Sequence, residues 1–270
     1  MKSFKHYLGS GLYRIYDLKD KNEKKRIDKL NRQMEPKYEC SMCGARFYAF
    51  YPFEHAYCAL ASAHTGKMQY PQFGELYRCP SCGAVNRVRM LFEFLEENGL
   101  KNIKDVLYMS PTTPGLNYFR TKYPSITVVT DDLFANNCDY HYDIMDMYGF
   151  RDDQFDLVIC SHVLEHVKDD IKAVQEMYRV TKKGGRVIVI VPLILHGDEF
   201  DESTELSETE NWKRFGDATH VRAYSKKSME KRIKESGFDF DMIDMNSFDP
   251  EIRRKNAMIE SDVLYVIKKG

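Results

Sequence analysis

The chain has 270 residues, of which 43% are hydrophobic, 13% aromatic and 30% charged, with a formal net charge of −1. The aromatic content excludes a chain disordered throughout, and the longest apolar run, Val187 to Leu195, is broken by Pro192 and too short to cross a bilayer. A near-zero net charge gives no bulk attraction to nucleic acid or membrane, and seven cysteines without an apolar N-terminal run lead us to expect reduced thiols in a cytoplasmic protein.

Residues 1–37 carry eleven Lys/Arg against five Asp/Glu. Within this basic arm, Asp20 to Met34 reads as a charged helix with Ile27, Leu30 and Met34 on one face, which suits a solvated helix better than a phosphate-binding one. Next come two CxxCG units, Cys40-Ser-Met-Cys43-Gly and Cys79-Pro-Ser-Cys82-Gly, separated by 35 residues. In each unit a turn aims two thiolates at one centre, and together they supply the four sulfurs that tetrahedral zinc takes. An iron centre takes the same ligands. A closed four-thiolate site has no open position, so it reads as a folding staple. The intervening loop is expected to form short strands and a hairpin. His55, Cys58 and His64 within it match no ligand spacing and are read as core or surface residues.

From Asn86 onward the pattern alternates. Asn86 reads as the cap of a helix running to Glu97, with Val88, Leu91, Phe92 and Leu95 at helical spacing and Gly99 at its end. A strand over Asp105 to Met109, a helix after Pro114 and a strand over Ile126 to Thr130 follow. Then come a strand at Phe155 to Cys160, a helix from Lys168 to Val180, and a strand at Arg186 to Val191. Apolar runs without alternation are the mark of strands buried on both faces, and their interleaving with helices implies a mainly parallel, doubly wound α/β sheet. Asp198 to Glu210 holds seven acids and no base, so it must face solvent or be disordered. A helix over Ser225 to Ser236 and an antiparallel pair, Phe238 to Met245 with Asp262 to Lys268, complete the chain.

The stretch Asp143 to Pro192 carries Asp143-Ile144, Phe155-Asp156, Leu164-Glu165-His166 and Gly184-Gly185 in order. In these features residues 103–270 resemble a class I S-adenosylmethionine-dependent methyltransferase of the type 11-like group. With the CxxCG pairs and His220 to Met229 (HVRAYSKKSM), the chain looks like bacterial methyltransferases bearing an N-terminal zinc-ribbon-like module. The resemblance implies a Rossmann-like seven-stranded methyltransferase sheet over residues 87–270, with an acceptor-side insertion at 193–222. A zinc-ribbon-like module at 38–86 and a basic helical arm at 1–37 would precede it. The implied cofactors are S-adenosylmethionine and Zn2+.

In doubly wound sheets ligands lie outside the carboxyl ends of the strands. Asp131, or its neighbour Asp132, is the candidate acceptor for the ribose hydroxyls. Asp143 suits the adenine amine, the backbone of Ile144 a ring nitrogen, and Ser161 and His162 the methionine moiety and the incoming acceptor. The family's first strand ends in an acid followed by GxGxG, but Tyr108 stands for the acid here. Ser110, Thr112 and Pro114 replace the glycines, and Gly115 is displaced by one. Two readings follow: a variant pocket in which Ser110, Thr112 and Thr113 hydroxyls replace backbone contacts, or a catalytically silent module that binds RNA or a protein partner. The variant pocket, acting on a small-molecule or sugar-type acceptor, is preferred because the other motifs are intact. For an acceptor that must lose a proton, His162 and His220 are the candidate bases, while His166 reads as structural. Trp212 and Phe215 are either an apolar wall of the acceptor site or packing anchors. The aromatic–basic pairs Arg46-Phe47-Tyr48 and Tyr77-Arg78 are the sequence support for nucleic acid.

Overall fold

The basic arm is helical over more of its length than its apolar stripe predicts. In the computed structural model, which describes residues 4–52, 78–100, 102–193 and 200–270, α1 runs Phe4–Gln33. Its C-terminal half is fastened by Ile27, which is buried, and by Asn31, whose side chain accepts from Tyr48 and Ala49 N–H and donates to Ala49 O. Met34, expected on the packed face, is exposed, because the helix ends at Gln33 and the chain turns toward the first cysteine pair. Most of the loop between the cysteine pairs, with His55, Cys58 and His64, lies outside the described residues.

Strands β1 (Tyr38–Glu39) and β2 (Arg46–Phe47) pair antiparallel around the first CxxCG turn, and an antiparallel bridge joins Tyr51 to Arg78 ahead of the second. Helix α2 (Asn86–Glu97) follows directly. Its N-cap is Val85, not Asn86, which lies inside the helix and donates to both carboxylate oxygens of Asp262. A long-range partner has taken the side chain that a local reading assigns to capping.

Among the described residues the central sheet has six strands in the order β4-β3-β5-β6-β10-β9: β3 (Asp105–Met109), β4 (Thr127–Asp131), β5 (Phe155–Ser161), β6 (Thr181–Ile190), β9 (Asp241–Asp244) and β10 (Val263–Lys268). The first four are mutually parallel, and β10 runs antiparallel to both β6 and β9. The expected final antiparallel pair is present, but residues 245–262, including helix α7 (Pro250–Asn256), separate its strands. Helices α3 (Thr113–Lys122) and α4 (Asp170–Val180) make the crossovers, and α6 (Lys226–Glu235) packs beside α4.

The expectation of seven strands is not met. The connection 132–154, where a further edge strand would arise, is rich in Asp, Asn and Tyr and contains no apolar run. It instead forms turns and joins the sheet edge through one parallel bridge, Asp131 to Tyr140.

Residues Val187 to Val191 are at most 2% exposed, as expected of a strand covered on both faces. At roughly 1.5–3 kcal/mol for each large apolar side chain removed from water, this strand and β5 are the backbone of the core. One face of the sheet is continuous with the cysteine turns: Cys40, Phe47, Phe50 and Cys79 share a core cluster with Leu91, Phe92, Val106 and Tyr108. Arg89 is buried at this seam. Its guanidinium donates to Asn256 O at 2.7 and 2.9 Å and to Ala84 O at 2.7 Å, and lies 4.2 Å from the Phe50 ring centroid.

In the insertion, β7 (Asp201–Glu202) pairs with β8 (Arg222–Ala223), and α5 (Glu208–Phe215) begins with a Ser207–Glu210 capping box. The described acids of this tract face solvent or meet arginines, with Asp201 on Arg214 and Glu202 on Arg222. Trp212 and Phe215 are buried packing anchors. Among the described residues, no helix is long and apolar enough to cross a membrane.

Candidate functional site

The two CxxCG turns are near copies of one another. In each, the Gly after the second cysteine donates its N–H to the carbonyl of the first cysteine, Gly44 to Cys40 at 2.8 Å and Gly83 to Cys79 at 3.0 Å. Both glycines adopt φ near +70°, 67° and 78°, a left-handed turn that a side chain would strain. The result is a cluster in which the Cys40, Cys43, Cys79 and Cys82 sulfurs lie within 4.8 Å of one another. Cys40 and Cys82 sulfurs, and likewise Cys43 and Cys79, stand 3.8 Å apart. Four sulfurs on a tetrahedron of Zn–S length about 2.3 Å are about 3.8 Å apart. The donor set therefore fits zinc in number, chemistry and spacing. Without a cation each thiolate formed discourages the next: Cys40 is pushed up by hydrogen bonding to Cys79 and Cys82 and by burial.

The second assembly lies at the carboxyl ends of β3, β4 and β5. These ends are level, since Met109 pairs with both Asp131 and Cys160, and Ser110 N donates to Asp131 O at 2.9 Å. Tyr108 is fully buried, and its hydroxyl lies 3.1 Å from Thr112 Oγ1, which also accepts Gly115 N and caps α3. A Cβ on Gly115 would approach Tyr108 Oη to 2.7 Å, so the buried tyrosine requires glycine at this position. Ser110 has φ +46°, the left-handed conformation usual for glycine. The turn thus keeps a glycine-like backbone without glycine.

Asp131 is 3% exposed, and its Oδ1 accepts Tyr142 N at 2.8 Å. Burial raises its pKa. Asp132 instead closes a turn, accepting Phe134 N and Ala135 N. Asp143 accepts Met145 N and lines an open depression of about 530 Å³ shared with Tyr140, Tyr142 and Tyr148, while Ile144 is buried. Ser161 ends β5 and is 8% exposed.

His162 has φ +58°, and its Nδ1 lies 3.4 Å from Glu165 Oε1. Burial holds its pKa well below the usual imidazole range, with Arg87 adding to the effect. His166, in the 3-10 turn Leu164–His166, and His220 meet edge to face with centroids 4.7 Å apart. Burial lowers His220 to about 4 despite the opposing Asp217 charge. Glu165 is fully buried, and among the described residues neither carboxylate oxygen has a hydrogen-bond partner. Burial raises its pKa.

The segment His220 to Ser225 holds this turn in place. Val221 N donates to Glu165 O, Arg222 to the carbonyls of Leu164, Val167 and Lys168, and Tyr224 Oη to Asp170. The sequence motif therefore acts as a brace for the Leu-Glu-His turn. Sequence reasoning missed Arg87 and Glu165 as members of this site. The Arg87 Nε is buried without a hydrogen-bond partner, and burial lowers its pKa against the fields of Asp262, Glu165 and Tyr108. Its signal was faint: a charged residue in the first turn of a helix that otherwise presents an apolar stripe.

Residues 85–189 match a family model described as a methyltransferase domain. That match and the mostly parallel sheet support a methyltransferase Rossmann-like fold. A 40-residue segment is 52% identical to demethylmenaquinone methyltransferase of Streptomyces avermitilis, covering 15% of this chain and 17% of that protein. The alignment thus spans under a fifth of that relative's length. Among solved structures, a SAM-dependent methyltransferase from Archaeoglobus fulgidus is 15% identical with a TM-score of 0.42, over 67% of this chain and 94% of that one. A phosphoethanolamine N-methyltransferase of Haemonchus contortus, solved with S-adenosylhomocysteine, is 16% identical with a TM-score of 0.46, over 72% and 54%.

Proposed function

We propose that the chain is an S-adenosylmethionine-dependent methyltransferase acting on a small-molecule acceptor, with a structural zinc ion in its four-cysteine module. The observation that carries the reading is the level row of strand ends, where the buried Asp131 carboxylate and the left-handed Ser110 turn meet at the crevice where this sheet type binds ligands. The family match over residues 85–189 supports it.

The cofactor's sulfonium supplies an already activated methyl group, so transfer demands alignment above all. Asp131 is the acceptor for the ribose diol, with Asp132 occupied in its turn. Asp143 and Ile144 are our candidates for the adenine contacts, and Ser161 with the Ser110, Thr112 and Gly115 turn for the aminoacyl end. Tyr108 sets the shape of that turn from beneath, through Thr112. Arg87 is half-buried, and its Nε has no hydrogen-bond partner among the described residues, which suits the cofactor's carboxylate. His162, directly after β5, is a candidate base for an acceptor proton; His220, edge to face with His166, is a second candidate.

A nucleic-acid role loses its main prop, because Phe47 is buried in the cysteine module and offers no face for base stacking. Calorimetry of the zinc-loaded chain with S-adenosylhomocysteine tests the reading. Micromolar binding is expected, and no binding by folded protein would overturn it.

A further inference from the structure

The cluster Glu165–His166–His220 has no assigned cofactor contact, and it groups three side chains able to donate to a metal ion. Its three side chains come from the 3-10 turn after β5 and from the end of the insertion, and their donor atoms all lie within 4.8 Å of one another. The tautomer of His166 follows from its neighbours. Thr219 has one hydroxyl hydrogen, which it gives to Asp217 Oδ1 at 2.8 Å. Thr219 Oγ1 therefore accepts from His166 Nδ1–H at 3.0 Å. In the neutral ring this puts the lone pair on His166 Nε2, which lies 3.8 Å from Glu165 Oε1. That gap is too long for a shared proton to bridge as a hydrogen bond. Glu165, fully buried, has no hydrogen-bond partner on either oxygen among the described residues. A buried carboxylate and a solvent-reachable imidazole nitrogen thus stand near each other.

We propose that Glu165, His166 and His220 form a second metal site, one that takes a divalent first-row transition ion. Two imidazoles and a carboxylate are a borderline nitrogen–oxygen donor set, distinct from the four soft sulfurs of the cysteine module. Donor atoms around an ion at about 2.1 Å stand about 3–3.5 Å apart, so the cluster closes by on the order of 1 Å on binding. The outer contacts are those expected of a ligating histidine: the Nδ1–H of His166 is fixed by Thr219, and Thr219 by Asp217. Three protein ligands leave positions open for water or another oxygen ligand, with His162 Nδ1 as a neighbour 3.4 Å from Glu165 Oε1.

The test is Co2+ titration of the full chain whose cysteine module has first been filled with one equivalent of Zn2+. The expected result is one further equivalent of Co2+ bound, with weak visible bands and no intense thiolate charge-transfer absorption. Glu165→Gln should weaken that equivalent at least tenfold, and Thr219→Val, which removes the outer hydrogen bond, should weaken it several-fold; both should keep the zinc equivalent. Near-ultraviolet circular dichroism checks that each variant is folded. If Glu165→Gln does not fold, the wild-type stoichiometry and Thr219→Val still decide. Total binding of one equivalent, or a second equivalent unmoved by both variants, overturns the proposal and indicates a protonated Glu165 or a His166–Glu165 ion pair instead. S-adenosylhomocysteine binding by the zinc-only protein is a separate readout. Its failure counts against the methyltransferase reading and leaves the metal site untouched.

Discussion

The cysteine module and the crevice are built on opposite plans. Each cysteine turn is complete within five residues, with its backbone bonds closed locally, and a single long-range step brings the two together. The crevice draws on Arg87, Tyr108, Asp131, Asp143, His162 and His220, which no local pattern unites. The difference teaches where tolerance lies. The module depends on every ligand, because removing one leaves the others as mutually repelling thiolates. The crevice turn holds Tyr108, Ser110, Thr112 and Pro114, and it reaches a left-handed backbone at Ser110 without glycine.

The sharpest way to break that contrast is at the module. Cys79→Ser, or chelation of the wild type, is expected to cost several kcal/mol and to lower the melting temperature by more than 10 °C, read in a thermal melt with and without zinc. A chain that melts unchanged would mean that the four sulfurs are no staple. Next is the seam between the two regions. Arg89→Met strands the carbonyls of Asn256 and Ala84, and urea unfolding should show a loss of about 3 kcal/mol.

Asp262 gives the seam a pH signature. Burial raises its pKa from 3.8 to about 6, so the folded chain binds more protons than the unfolded one between those values. Its contribution is therefore present below about pH 4 and is lost as pH rises through 6, by up to about 3 kcal/mol at 1.36 kcal/mol per unit. Asp262→Asn should flatten stability against pH across that window, measured by urea midpoints at pH 4, 5, 6 and 7.

At the crevice, Asp131→Ala should weaken S-adenosylhomocysteine at least tenfold by calorimetry while the zinc content stays unchanged. The smallest effect is at the turn itself. Ser110→Val places a β-branched residue at φ +46° and should cost about 1–2 kcal/mol, whereas Ser110→Gly should retain cofactor binding, both read by melting and calorimetry.

Much of this architecture was legible in the residues. The buried strands announced themselves through LVIC and VIVIV, and α4 and α6 appeared at their expected places with Asp169 and Ser225 as caps. Asn86 misled because its amide was spent on Asp262, a partner 176 residues away. The missing edge strand was implied by resemblance, yet the composition of 132–154, with no apolar run, already spoke against it. Glu165 was read only as part of a motif, since nothing in Leu-Glu-His reveals that the carboxylate is buried without a donor.

Taken by itself, the chain's order of residues determined what is settled within a few positions: the paired cysteine turns, the order of helices and strands, and the acid at the end of β4. Folding in three dimensions decided the rest: that Tyr108 packs on Gly115, that Arg222 braces the Leu-Glu-His turn, and that His166 Nε2 comes within 3.8 Å of Glu165. The reason is physical. Turn geometry and strand burial follow from neighbours along the chain, whereas the protonation, tautomer and partner of a buried polar group depend on whichever distant atoms the packed core brings within 3 or 4 Å.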